Sequence, residues 1–256
     1  MWLRVLVAAP AGLIFGSFLT VVVYRVPRGE SLVAPRSRCP SCGRQLRAID
    51  NVPVASWMLL GGRCHFCRAK ISVVYPLLEL ATGAIFVGVA FRFDDPWVAV
   101  LMAPFSALLV AISVIDIRTK KIPNRIVYPS LLVAAGYLVV ARVADADVDL
   151  VRSALGFLVL GGGFFLVAFV VPKGMGMGDV KLAALIGLVL GSQGLALVGV
   201  AAGAGILLGG VGAVAALVGG ASRKQAIPFG PFLAGGALVA VFLGSEIASR
   251  YLDLLR

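Results

Sequence analysis

Histidine is almost missing from this chain of 256 residues: His65 is the only one. A histidine-based catalytic triad and a metal centre built from several imidazoles are both excluded. Charge is scarce as well. Charged residues make up 14% of the chain against 60% hydrophobic, and the mean hydropathy is +1.01, which excludes an ordinary soluble domain. Acidic residues are the rarer sign, 12 against 23 basic, for a net charge of +11. No strand-like alternation suggests a barrel, no internal repeat is visible, and no glycine-rich strand-to-helix turn of the nucleotide-binding kind occurs.

What the chain does have is long apolar runs. Covering the hydrocarbon takes about 20 residues of helix, and eight runs qualify or nearly do: 3 to 24, 76 to 92, 97 to 115, 126 to 142, 153 to 171, 180 to 193, 195 to 219 and 229 to 248, the sixth being short. Backbone that faces lipid must satisfy its own hydrogen bonds, so the expected fold is an all-α polytopic membrane protein of about eight transmembrane helices. The 31 glycines suit close helix packing. The first run continues past the length of a signal core and ends in Arg25 and Arg28, so it reads as a retained anchor.

Placing the amino terminus outside puts seventeen of the 23 basic residues on the cytoplasmic side. They include nine between Arg25 and Lys70, then Arg118, Lys120, Lys121, Arg125, Lys173, Lys181, Arg223 and Lys224. This is the positive-inside pattern. It accounts for the net charge without a nucleic-acid partner.

All four cysteines fall in the one sizeable polar segment, residues 25 to 75, as Cys39-Pro40-Ser41-Cys42 and Cys64-His65-Phe66-Cys67. Two such knuckles can wrap one structural zinc with four thiolates, and on the reducing side of a membrane disulfides do not persist. A cytoplasmic zinc-ribbon-like domain between the first and second helices follows, dependent on its metal for folding. His65 reads as a surface residue. Glu79, just inside the second run, either pairs with a basic side chain of this domain or lines a site. The expected organisation is an anchor over 1–24, a zinc domain over 25–75 and a membrane-embedded catalytic domain over 76–256.

Two acids end apolar runs. Asp116 precedes a basic loop closed by Pro123, and Asp179 follows Gly174, Gly176 and Gly178, glycines that let backbone and a peptide approach closely. Two carboxylates meeting at a low-dielectric boundary share their protons: the charged one activates water and the protonated one polarises the scissile carbonyl, the division of labour of an aspartic protease. The sequence leaves open which aspartate takes which part. It reads Asp145, Asp147 and Asp149 as a solvated acidic loop.

The chain resembles the type IV prepilin peptidases, the leader peptidase/N-methyltransferases, which are membrane aspartic proteases with a GxGD motif. The likeness runs through Gly16-Ser17-Phe18-Leu19, Tyr24-Arg25-Val26-Pro27, the cysteine knuckles, Asp50-Asn51-x-Pro53, Tyr75-Pro76-Leu77-x-Glu79, Asp116 with Ile122-Pro123-Asn124, Gly176-x-Gly178-Asp179-x-Lys181 and Pro228-Phe229-Gly230-Pro231. The resemblance implies cleavage of the basic leader of type IV prepilins and type II secretion pseudopilins at the cytoplasmic face of the inner membrane. It also implies methylation of the new amino terminus from S-adenosylmethionine. It makes Asp116 and Asp179 the catalytic pair, Gly176, Gly178 and Lys181 the supporting loop, and Cys39, Cys42, Cys64 and Cys67 the zinc ligands. Thr20 stands where the family usually carries asparagine, in the amino-terminal region associated with methyl transfer. No residue marks a binding site for the methyl donor, and the oligomeric state is not legible. The competing reading is a proton-coupled transporter in which Asp116 and Asp179 relay protons and the zinc ribbon docks a partner.

Overall fold

Apolar runs this long fold as helices, because in lipid only a helix or a closed barrel satisfies every backbone group. A computed structural model of the chain describes residues 2–171, 175–220 and 227–254, leaving aside the side chains of residues 2 and 3. Pro172, Lys173 and Gly174 of the glycine-punctuated stretch, and Arg223 and Lys224 of the charge pattern, lie outside the described residues. The chain divides into two units, Met1–Arg92 and Phe93–Arg256.

In the first unit, α1 (Trp2–Arg25) packs along α3 (Val74–Arg92), with the short α2 (Ala55–Leu59) between them in sequence. Gly12 and Gly16 set the contact. A Cβ on Gly12 would lie 2.8 Å from the Gly83 Cα, and one on Gly16 would lie 2.8 Å from the Glu79 Cα. Small residues one turn apart let two membrane helices approach this closely. At the end of α1 the buried Arg25 guanidinium donates to the carbonyls of Ser31 (2.9 Å) and Pro35 (2.7 Å), folding the following loop back onto the helix end.

The second unit contains α4 (Pro96–Thr119), α5 (Asn124–Val143), α6 (Leu150–Gly156), a π turn (Phe157–Gly161), α7 (Gly162–Val170), α8 (Met177–Gly191), α9 (Leu195–Val218) and α10 (Gly230–Leu254). The α6, π and α7 segments make one continuous run, Leu150–Val170. Among the described residues, seven helices are long and apolar enough to cross a membrane. The expected sixth pass, α8, is 15 residues, about 22 Å of helix, and falls short of a lipid-facing span. It nevertheless traverses its unit. Asp179 lies in its first turn, and beyond its far end the Ser192 carbonyl accepts the Asp149 N–H (3.0 Å) and Gln193 Nε2 donates to the Asp147 carbonyl (2.9 Å). Surrounded by α4, α5, α6, α7, α9 and α10, α8 is buried on nearly every face. A helix enclosed by protein needs no lipid-matched length. The eighth pass is therefore an enclosed one.

The acidic loop is more than a solvated face. Asp149 caps α6, accepting the Arg152 N–H at 2.9 Å, and Asp95 at the start of α4 accepts the Asp147 N–H at 2.8 Å. These bonds tie the starts of α4 and α6 together at one end of the unit.

Glycine also brings α6 and its π turn onto α8. A Cβ on Gly156 would fall on the Gly187 carbonyl oxygen, a Cβ on Gly187 on that of Gly156, and a Cβ on Gly161 would lie 2.7 Å from the Ala184 Cβ. Gly187→Ala must push two backbones apart and is expected to cost about 2–3 kcal/mol, read as a lowered unfolding temperature in lipid. An unchanged unfolding temperature would mean that the helices do not meet here.

Candidate active site and metal centre

Asp116 is in the last turn of α4, whose helix ends where Lys120 takes a left-handed conformation (φ 51°) and its N–H returns to the Asp116 carbonyl. Its side chain is 4% exposed. The carboxylate accepts the Gly230 N–H at 3.0 Å. Gly230 opens α10, and the first N–H groups of a helix have no partner within it; here one is spent on the acid. A Cβ on Gly230 would lie 2.7 Å from the same carboxylate oxygen, so the contact requires glycine. The sequence alone gives Pro228-Phe229-Gly230-Pro231 no role in the site. The signal was glycine followed by proline at a helix start.

Asp179 lies in the first turn of α8 with Gly176 as its N-cap, and its N–H bonds the Gly176 carbonyl at 3.0 Å. A Cβ on Gly176 would sit 3.2 Å from the Asp179 carboxylate. Ile122 joins the two halves of the site. A Cβ on Gly178 would lie 3.0 Å from the Ile122 Cβ, and one on Gly230 would lie 3.3 Å from its Cδ1. The starts of α8 and α10 thus press on the same side chain, which brings together the α8 start that carries Asp179 and the α10 start that holds Asp116. Lys181 turns to α5: its ammonium donates to Asn124 Oδ1 (3.0 Å) and lies 4.8 Å from the Tyr128 ring centre, fastening α8 to α5. Asn124 and Tyr128 were not singled out as its partners from sequence. A pair of carboxylates, one fully enclosed and one at a glycine-flanked helix start, is an arrangement suited to acid–base chemistry on a bound amide.

The cysteine knuckles of the first unit are two copies of one local structure. Cys39 N–H bonds the Arg44 carbonyl and Cys64 N–H the Ala69 carbonyl, both at 2.9 Å; Gly43 N–H returns to Cys39 and Arg68 N–H to Cys64. Each knuckle closes with a single antiparallel bridge, Arg38 to Gln45 and Arg63 to Lys70. Each turns through a left-handed residue at the same place, Gly43 (φ 70°) and Arg68 (φ 60°). The four Sγ atoms lie within 4.8 Å of one another, and Cys39 and Cys67 are 3.8 Å apart. Four sulfurs about 2.3 Å from a central ion stand about 3.8 Å apart, so the donor set fits a tetrahedral metal. All four cysteines are free of disulfides. His65 is exposed, as expected, edge-on to Phe66.

Residues 11–93 match the model of the Bacterial Peptidase A24 N-terminal domain, and residues 103–248 match that of the Type IV leader peptidase family. A Prepilin leader peptidase/N-methyltransferase of Bacillus subtilis (strain 168) is 35% identical over 244 residues, covering 95% of this chain and 96% of the relative. The protein of the same name from Stutzerimonas stutzeri is 36% identical over 284 residues, covering 98% and 95%. That from Pseudomonas aeruginosa is 35% identical over 274 residues, covering 94% and 91%. No solved structure matches the chain. With one model spanning more than half of the chain and relatives aligned along nearly their whole length, the chain belongs to the Type IV leader peptidase family.

Proposed function

We propose that this multi-pass membrane protein cleaves the leader peptide from type IV prepilins and pseudopilins, with Asp116 and Asp179 as the catalytic pair, and methylates the amino terminus it exposes. The observation that carries the peptidase reading is the meeting at Ile122 of the two glycines that adjoin the acids, Gly178 beside Asp179 and Gly230 donating to Asp116, at one end of the second unit. One carboxylate removes a proton from water, whose oxygen adds to the scissile carbonyl carbon. The other, protonated, donates to the carbonyl oxygen; collapse breaks the C–N bond, and the leaving amine takes a proton. Gly176 and Gly178 leave room for the substrate backbone, and Lys181 holds α8 in place through Asn124.

Four thiolates of Cys39, Cys42, Cys64 and Cys67 hold zinc, which organises residues 25–75 as a domain inserted between α1 and α3. S-adenosylmethionine supplies an electrophilic methyl group: its S–C bond breaks with the pair staying on sulfur, while the amine nitrogen forms the N–C bond and sheds a proton. The Asp116 end of the second unit carries Arg118, Lys120, Lys121, Arg125 and Lys181, and the opposite end carries Asp94, Asp95, Asp145, Asp147 and Asp149. The positive-inside rule puts the site in the cytoplasm and the amino terminus outside the inner membrane. The transporter alternative finds no support in the family, and its two acids lie at one end of the unit instead of along a path across it.

The test is mass spectrometry of a prepilin incubated with the purified chain in lipid, with and without S-adenosylmethionine. Leader loss in both conditions, and one added methyl group only with the donor, is the expected result. An uncut prepilin would overturn the reading.

A further inference from the structure

The first unit contains a cavity of about 680 Å³, lined among others by Ser17, Thr20, Asn51, Trp57, Pro76 and Glu79. Cavities of roughly 300–1,000 Å³ hold small organic ligands. Five charged side chains line it. Arg25 is held by loop carbonyls, and Asp50 forms a two-pronged pair with Arg47 at 3.0 Å. Glu30 and Arg38 are exposed, whereas Glu79 is buried. It is 8% exposed, and its carboxylate accepts only the Val54 N–H (2.8 Å) and the Ser17 hydroxyl, with no cationic side chain paired to it among the described residues.

The backbone at Val54 is bent to reach it. Val54 has φ 60° and ψ −51°, and the Ala55 N–H returns to the Pro53 carbonyl. This is a γ-turn of the rare, strained hand, centred on a β-branched residue. Strain of this kind persists where the surrounding structure uses it. Here it aims an N–H at a buried acid that no cationic side chain of the lining, Arg25 and Arg38 included, pairs with. Trp57 forms a fixed wall: its indole N–H donates to the Ile71 carbonyl (3.2 Å), and Gly62 has no room for a Cβ beside the ring.

We propose that this cavity is the binding site of the methyl donor, with Glu79 facing the sulfonium of S-adenosylmethionine. The inference rests on the methyl-transfer reading above. A buried carboxylate with no cationic side chain paired to it suits a ligand that brings its own positive charge. The sulfonium is such a charge. The rigid indole face of Trp57 suits a planar ring, since aromatic faces attract both cations and other rings. A second cavity, about 550 Å³ near Asp147 and Asp149 in the second unit, lacks this chemistry: Asp149 is paired with Arg152, and no aromatic side chain lines it.

S-adenosylhomocysteine differs from the donor by the methyl group and the positive charge, which makes it the discriminating probe. Equilibrium binding of each compound, radiolabelled, to the full chain in lipid is compared for the parent, Glu79→Gln and Trp57→Leu. Glutamine keeps an acceptor for Val54. It is expected to weaken S-adenosylmethionine by at least about tenfold and S-adenosylhomocysteine by less than about threefold. Trp57→Leu is expected to weaken both alike. Equal losses for the two ligands in Glu79→Gln, or no loss for either, would overturn the proposal. A parent chain that methylates prepilin while Glu79→Gln binds the donor normally would overturn this inference alone. A parent that cleaves prepilin but binds neither ligand would overturn both the inference and the methyl-transfer half of the proposed function, leaving the peptidase.

Discussion

Asp179→Asn and Asp116→Asn are each expected to lower leader cleavage by roughly 100- to 10,000-fold, with the protein still inserted and folded. Asparagine is the informative change at both positions. At Asp116 its amide oxygen still accepts the Gly230 N–H, so the start of α10 keeps its anchor. Alanine would leave that N–H buried and unpaired, at a cost of about 1–3 kcal/mol, and would confuse loss of chemistry with loss of fold. At Asp179 asparagine keeps the size of the side chain beside Gly176 while removing the ionisable proton. Initial rates on a prepilin, with unfolding temperatures measured in parallel, make the comparison. Either variant cleaving at the parent rate would sink the two-aspartate mechanism.

Replacing Cys39 and Cys64 together by serine is expected to empty the metal centre and unfold residues 26–73. These are the two buried ligands. Among the described residues of that segment few apolar side chains are buried, Val26 being one, so the segment has little core of its own. Structural zinc contributes about 10–16 kcal/mol in small zinc-folded peptides, far more than the scattered backbone bonds of two knuckles. Elemental analysis should fall from one zinc per chain to none, and limited proteolysis should then cut within 26–73, where the parent resists. A zinc-free variant as resistant as the parent would show that the segment stands without metal.

The parts of this protein that were legible in the sequence are those written in local patterns. The lipid-facing helices were visible because each needs a long apolar run, and the metal site because four cysteines at paired spacing have few other uses. Asp116 and Asp179 stood out because charge is rare in such runs. α8 was placed within a few residues although it never faces lipid, because a helix enclosed by protein is apolar all round. What could not be read were partnerships across long sequence distances. Nothing near Asp116 announces that its hydrogen bond comes from Gly230, and nothing near Glu79 announces Val54. The sequence left Glu79 as either an ion-pair partner or a site residue; its partner is a backbone N–H offered by a strained turn, which no residue type specifies. The capping of α6 by Asp149 was obscured by its acidic neighbours, although an aspartate ahead of an apolar run is an ordinary helix start.

The π turn at Phe157–Gly161 amounts to a helix with one surplus residue. Taking out any single residue there would restore an unbroken α-helix with better local geometry. It would also rotate Gly156 relative to Gly161 by about 100°. Only one of the two could then face α8, and the other would present a crowded surface to Gly187 or to Ala184. The chain here is intolerant of a change in residue count, even one that leaves the identity of every remaining residue unchanged. A deletion that tidies the helix would displace the element whose first turn carries Asp179, so this stretch constrains the protein by length and not by composition.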